Sequence, residues 1–340
     1  LSVFADSLEY DGDTQKAILF GETDSDVVLV NKDQRLFTKR LNYNLKTKTA
    51  SYFTGATLTN NATFLKSKRG TYNVDSEQAY FVDSVFVKDP EFSLSADSLK
   101  YNTRTDVATF IGPTRIKQKD RDVYCESGYY DIANKNARFE KNAQYLEEDK
   151  EAIADVIIYD GRSKKITLEG DASVKDKDRY ASGDKIIYLE ETGEADIIGN
   201  AKYRDADRNV EGEALSYNEK VNTIKTKGRS VISEPPQILI ADNVDYDDNT
   251  GLGVATGQVI WQDTAASVFI YCDSADYNKQ SNYIKAYGDT RPLMKTKVDE
   301  DTLYITAELL VSQEVTAFGS KAITEFVMDS SGNIVDSIGP

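Results

Sequence analysis

The sequence predicts an all-β fold: an elongated repeat protein of stacked antiparallel strands, each bent so that the stack folds lengthwise into a V. Three observations predict it. A tyrosine returns every 29 residues, apolar and polar residues alternate between these tyrosines, and a small residue stands at a fixed step before each one.

The tyrosines are Tyr10, Tyr43, Tyr72, Tyr101, Tyr130, Tyr159, Tyr188, Tyr217, Tyr246 and Tyr277; the seven steps from Tyr43 to Tyr246 are each 29 residues, the first step is 33 and the last 31. A fixed period of this length marks a repeat architecture and overrides the prior of two globular domains for a chain of 340 residues. Five residues before each tyrosine the side chain is small, as at Ala5, Thr38, Ser67, Ala96, Cys125, Ala154, Gly183, Gly212, Ala241 and Cys272. An acidic residue usually follows it, with Lys39 and Lys68 as exceptions.

The first strand of each repeat runs up to its tyrosine. Around Tyr101, Phe92, Leu94 and Ala96 share a face, and Leu99 and Tyr101 rejoin that face after a one-residue slip at Asp97-Ser98. Period-two alternation reads as half-buried strand. The recurring slip reads as a bend or bulge within one long strand, with the small residue fitting the crowded inner corner. Next comes a turn that opens with Asp or Asn after every tyrosine but Tyr188, where Leu189 stands. Asx side chains suit such turns because they bond nearby backbone and tolerate left-handed geometry. The second strand then alternates again, as in Ala108 and Phe110 or Ile166 and Leu168, and passes a glycine eleven residues after most tyrosines, such as Gly112, Gly170, Gly199, Gly228 and Gly257. A looser connection such as Lys117-Gln118-Lys119-Asp120 leads to the next repeat.

One repeat has too little apolar surface to offset the entropy of ordering its backbone, so neighbours must stack and share hydrogen bonds. Ten repeats of two strands spaced ~4.8 Å apart give a rod on the order of 100 Å. The repeat domain is expected over residues 1–311. The period breaks after Ala307-Glu308: Ser312 stands where a tyrosine is due, and Ala317 and Gly319 suggest a second strand arriving early. Residues 312–340 read as a divergent last repeat with a C-terminal hairpin or cap, its turn at Asp329-Ser330-Ser331-Gly332-Asn333.

Composition excludes several functions. Forty-one Lys and Arg against 57 Asp and Glu give a formal charge of −16, without a long basic run, which disfavours nucleic acid as a partner. Without histidine the chain lacks the commonest general base and zinc ligand. The acids are spread regularly instead of converging on one cleft, so no catalytic residues, metal or cofactor are expected. Two cysteines, Cys125 and Cys272, make no disulfide framework and share one repeat position, where each serves as a small corner residue. Stacked tyrosines could contact a ligand but more often serve structure. Carboxylates one repeat apart, ~10 Å, are too distant for shared calcium, so the acidic ladder reads as a solvated outer corner. From Leu1 the sequence shows neither a charged n-region nor an apolar h-region, which fits either a targeting segment already removed or a start inside the protein, so export is not read from it directly.

The pattern small-Asp-x-apolar-x-Tyr-(Asn/Asp), clearest in Ala96-Asp97-Ser98-Leu99-Lys100-Tyr101-Asn102 and Ala154-Asp155-Val156-Ile157-Ile158-Tyr159-Asp160, resembles the OstA/LptA-like family over roughly residues 1 to 310. It looks like the longer, Bacteroidetes-type form, and it departs from short family members in repeat number and acidity. The resemblance implies a V-shaped open β-jellyroll and a non-enzymatic role in lipopolysaccharide transport through the periplasm of a Gram-negative bacterium. Its implied partners are lipopolysaccharide or another acylated lipid, and other β-jellyroll transport proteins or further copies of itself, joined edge to edge. The expected lipid-contacting ladder is Leu99, Phe110, Ile116, Ile157, Leu168, Ile186, Ile197, Leu215, Val244 and Trp261. The residues alone leave another reading open: a structural or adhesive β-rod with a closed, packed interior, perhaps glycan-binding.

Overall fold

Alternating sequence and Asx turns do produce an all-β chain. The computed structural model describes residues 2–31, 33–317, 320–328 and 334–338, with side chains as far as residue 313. Among these residues the helical content is one 3-10 turn, Lys279–Ser281. The chain falls into two compact units, Leu1–Glu169 and Gly170–Pro340, the boundary lying within the strand Lys165–Asp176.

In the first unit the strands form two facing half-sheets. Ser7–Asp11, Lys16–Phe20, Arg40–Asn44, Thr49–Tyr52 and Arg69–Asn73 pair in succession and join the first half of Gln78–Lys88. Ser2–Phe4, Val27–Asn31, Gln34–Thr38, Ala56–Asn60 and Thr63–Ser67 build the other half-sheet and join the second half of that same strand. The expectation of one long bent strand therefore fails over residues 1–73. There the bend interrupts the strand. From Gln78 to Asn278 the chain runs through it unbroken, as in Ser93–Asn102 and Asn136–Glu147, and it is interrupted again between Tyr283–Tyr287 and Leu293–Val298 and between Asp301–Thr306 and Leu309–Ala317. The interruptions include the corners where Lys39 and Lys68 replace the usual acid.

The bend is a bulge, but its extra residue lies on the strand opposite the expected slip. Between Ile111 and Thr114 the pairing advances three residues while the partner advances only two, from Ser98 to Ala96. The extra residue is left-handed: Gly112 has φ +81°, and Gly228 and Gly257 repeat this in the second unit at +79° and +81°. Glycine enters that region without steric penalty, which accounts for its recurrence eleven residues after the tyrosine. Where glycine is missing, the pairs Asp83-Ser84 and Lys141-Asn142 adopt positive φ instead.

The Asx turns form as the sequence implies. Asn102 Oδ1 accepts from the N–H groups of Arg104 (2.9 Å) and Thr105 (3.1 Å), and Asp247 Oδ1 accepts from Asn249 (2.8 Å) and Thr250 (3.3 Å). In the second unit, long strands such as Asn209–Asn218, Thr223–Glu234, Gln237–Asp247 and Leu252–Asp263 pair in sequence, each pairing shifting at the same bulge.

Near the C-terminus Ser312 pairs with Ile284, the register held elsewhere by tyrosines such as Tyr277, which also faces Ile284 across its own pairing. The strand Leu309–Ala317 continues through that point, so Ala317 closes a first strand, opposite Ser320, and does not open a second. Ser320–Met328 pairs in turn with Ile334–Ile338. Gly319 and the turn Asp329-Ser330-Ser331-Gly332-Asn333 lie outside the described residues.

Candidate functional site

Small side chains at the inner corner let the two half-sheets of each unit approach face to face. Ala96, Cys125 and Ala154 are buried in the first unit, as are Ala241 and Cys272 in the second. Both cysteines are free, and burial pushes their thiols up, Cys125 to about 11 and Cys272 to about 12, so neither is a reactive thiolate at neutral pH.

Outward from the corner comes the apolar ladder. Leu99, Phe110, Ile157 and Leu168 are buried, as are Ile186, Ile197, Leu215, Val244 and Trp261, while Ile116 is half-buried against the first unit's core. Phe110 stacks flat on Phe139 with ring centroids 6.3 Å apart. Much of the ladder is thus packed core, and open space lies further out, between the half-sheets. In the first unit a cleft of about 580 Å³, solvent at its mouth included, is lined by Leu36, Leu41 and Leu58 below and by Asn31, Gln34, Tyr72 and Thr103 near the mouth. In the second unit a cleft of about 640 Å³, counted the same way, is lined by Ile224, Val244, Trp261 and Ile284, with Arg208, Glu234, Gln237 and Tyr277 among its polar lining. Of the ten ladder residues, Val244 and Trp261 face this cleft. The other cleft-lining side chains were not distinguished by sequence reasoning, because alternation marks which face is inward but not how far along the arm packing stops.

The tyrosine ladder belongs to the mouth. Tyr72 accepts a hydrogen bond at its hydroxyl from Asn31 Nδ2 at 3.2 Å, and Tyr277 donates to Gln237 Oε1. The Arg179 guanidinium lies 5.6 Å from the ring centre of Tyr217, and that of Arg208 lies 5.5 Å from Tyr246. In each case the tyrosine, at the end of one half-sheet, meets the loose connection of the preceding repeat at the end of the other. Burial pushes the Tyr52 and Tyr246 hydroxyls up to about 12, and burial also raises Tyr101, Tyr188, Tyr203 and Tyr277.

The acidic ladder has a local role that spacing alone did not reveal. Its side chains lie over the bulge: a Cβ added at Gly112 would come within 2.9 Å of Asp97, and one at Gly257 within 2.5 Å of Asp242. At the loops of the first and last bends the carboxylate also accepts backbone N–H groups, Asp6 from Glu22 (2.8 Å) and Asp273 from Thr290 (2.7 Å). Hydrogen bonds from Ser25 and Glu22 hold the Asp6 carboxyl below its ordinary range. Among the described residues no three His, Cys, Asp or Glu side chains are grouped to hold a metal ion.

Two family models match the sequence: one described as OstA-like protein over residues 1–97, the other as LptA/(LptD N-terminal domain) LPS transport protein over residues 66–194. No curated protein matches. Among solved structures the chain is similar to LptH of Pseudomonas aeruginosa, the LptA homologous periplasmic component of the lipopolysaccharide transport device, at 14% identity and a TM-score of 0.29. That match covers 32% of this chain and 82% of LptH.

Proposed function

Since the chain belongs to the OstA/LptA-like family, whose matched models include an LPS transport family, we propose that it shields lipid acyl chains between its half-sheets during lipopolysaccharide transport. The setting proposed is the periplasm, and the role is carriage without catalysis. The observation that carries this reading is the apolar cleft in each unit, walled by Leu36, Leu41 and Leu58 in one case and by Ile224, Trp261 and Ile284 in the other. Apolar burial contributes ~0.8 kcal/mol per methylene. A long acyl chain therefore binds such a cleft without any basic residue, which suits a chain of net charge −16. Of the expected ladder, Val244 and Trp261 line the second cleft and are the proposed lipid contacts there, while the buried remainder packs beneath.

Edge pairing with further β-jellyroll chains is the proposed mode of assembly. Among the described residues Ser2–Phe4 pairs with Val27–Asn31 and Ser7–Asp11 with Lys16–Phe20, and Phe4, Leu8 and Tyr10 are more than half exposed at 61%, 57% and 55%. Such an edge templates pairing with another strand.

Photo-crosslinking side chains at the cleft positions Leu58, Ile232 and Leu239 should capture lipopolysaccharide in cells, whereas the outward positions Lys100 and Val231 should not. Labelling equal at both sets would mean adventitious surface contact. No labelling in a cell that depends on the protein would favour the closed β-rod.

A further inference from the structure

The mouth of the second unit's cleft is crossed by charged contacts. Arg208 Nη2 donates to Asp248 Oδ1 at 2.8 Å, Lys279 pairs with Glu234, and Tyr277 donates to Gln237. The partners are 40, 45 and 40 residues apart, and in each pair one residue comes from the Asx-turn end of one half-sheet and the other from the loose-connection end of the facing one. All three bonds are side chain to side chain. Four of the six residues, Arg208, Glu234, Gln237 and Tyr277, also line the cleft, so the contacts lie directly over its apolar floor.

We infer that these three contacts form a polar latch whose parting admits an acyl chain sideways into the cleft of the second unit. The inference rests on the acyl-chain reading of that cleft and adds to it a defined entrance. The half-sheets are joined at the base by backbone that bends at left-handed bulges such as Gly228 and Gly257, while at the tips side chains alone hold them together.

The latch is built to part. Arg208 is 8% exposed, and its Nε has no hydrogen-bond partner within the protein. It nevertheless keeps a counter-ion on its own turn: Asp205 lies 3.8 Å away and is itself fixed by accepting the Arg208 and Asp207 N–H groups at 2.9 and 3.1 Å. Opening therefore exchanges Asp248 for water without stranding a buried cation. Lys279, Glu234 and Asp248 sit close enough to solvent to rehydrate. The first unit's mouth contact, Asn31 to Tyr72, is neutral, so a charged closure distinguishes the second cleft.

Spin labels at Ala206→Cys and Thr250→Cys, on opposite tips and both exposed, in a Cys125→Ala/Cys272→Ala background, report the width of the mouth. The intact latch should give one short, narrow distance distribution. Arg208→Met with Glu234→Gln should lengthen and broaden it, and Arg208→Lys should largely restore it. If the Arg208→Met chain does not fold, Lys279→Gln at an exposed position supplies the same comparison. The association rate of a fluorescent long-chain fatty acid should rise at least roughly tenfold on unlatching, the factor that loss of even one charge-assisted hydrogen bond implies. An unaltered distance distribution overturns the latch, and so does an unaltered association rate in a chain whose tips have moved apart. Tips that separate in a chain binding no probe, with or without the substitutions, overturn the acyl-chain reading and leave the mechanical latch standing.

Discussion

At Gly112 the backbone enters the left-handed region with Asp97 directly opposite, and this one residue carries both the bend and its steric cost. Gly112→Ala should therefore destabilise the chain by ~1–3 kcal/mol, through left-handed strain and the approach of the new methyl to Asp97. Asp97→Ala, an exposed change, should stay within about ±0.5 kcal/mol. Urea melts of the two variants check the ranking; equal losses would mean that the acid, and not glycine geometry, sets the bend. The glycine spacing was visible in the sequence, but its reason was not. Alternation located a slip at Asp97-Ser98, and only the pairing of Ile111 and Thr114 with Ser98 and Ala96 shows the added residue on the partner strand. An odd step in one strand and an extra residue in its neighbour leave the same mark on alternation, so sequence alone could not choose between them.

The tyrosine ladder acts at the level of the strand and its turn. Burial keeps the hydroxyl of the ladder's Tyr246 neutral, and off the ladder that of Tyr52, each pushed up to about 12 from an ordinary value near 10. A folded-state pKa above the unfolded one means that the native chain holds protons the unfolded chain has released. This stabilisation is complete below pH 10, and it is lost as pH rises from 10 towards 12. Thermal melts across that range, followed with the 295 nm phenolate absorbance, should show the midpoint falling as the rings titrate. A midpoint flat to pH 12 would place these tyrosines in water. The irregular spacings were legible as loops once seen in place. The 33-residue first step is taken up by the bend 21–26, and the 31-residue last step by a longer connection at 264–267. Neither departs from the strand pattern, and for this reason alternation alone passed over them.

On the scale of the whole molecule, the repeat fixed the all-β class, the strand order and the inward face before any coordinate. Far-ultraviolet circular dichroism should accordingly show less than about a fifth helix, against roughly 30–35% in ordinary domains. A larger helical signal would contradict the pairing described throughout. The free edge at Ser2–Phe4 and Ser7–Asp11 should make sedimentation depend on concentration, and Val3→Pro, which removes a backbone donor from the edge strand, should reduce that dependence. What the repeat could not disclose is which side chains meet across the cleft. Those meetings join residues about 40 positions apart, outside any 29-residue register, and depend on how sharply the half-sheets fold.

Four ladder tyrosines in the two units share one further property: each meets the connection one repeat behind it, Tyr72 at Asn31, Tyr217 at Arg179, Tyr246 at Arg208 and Tyr277 at Gln237. At these four places the seam within a unit runs aslant, like overlapping roof tiles, each fastening spanning two neighbours. On the acyl-chain reading proposed above, lifting one tile would loosen the next, so that a hydrocarbon chain lodged under one repeat would lower the cost of advancing beneath the following one. A slanted seam of this kind would give such passage a progressive, stepwise character that a row of independently shut repeats would lack.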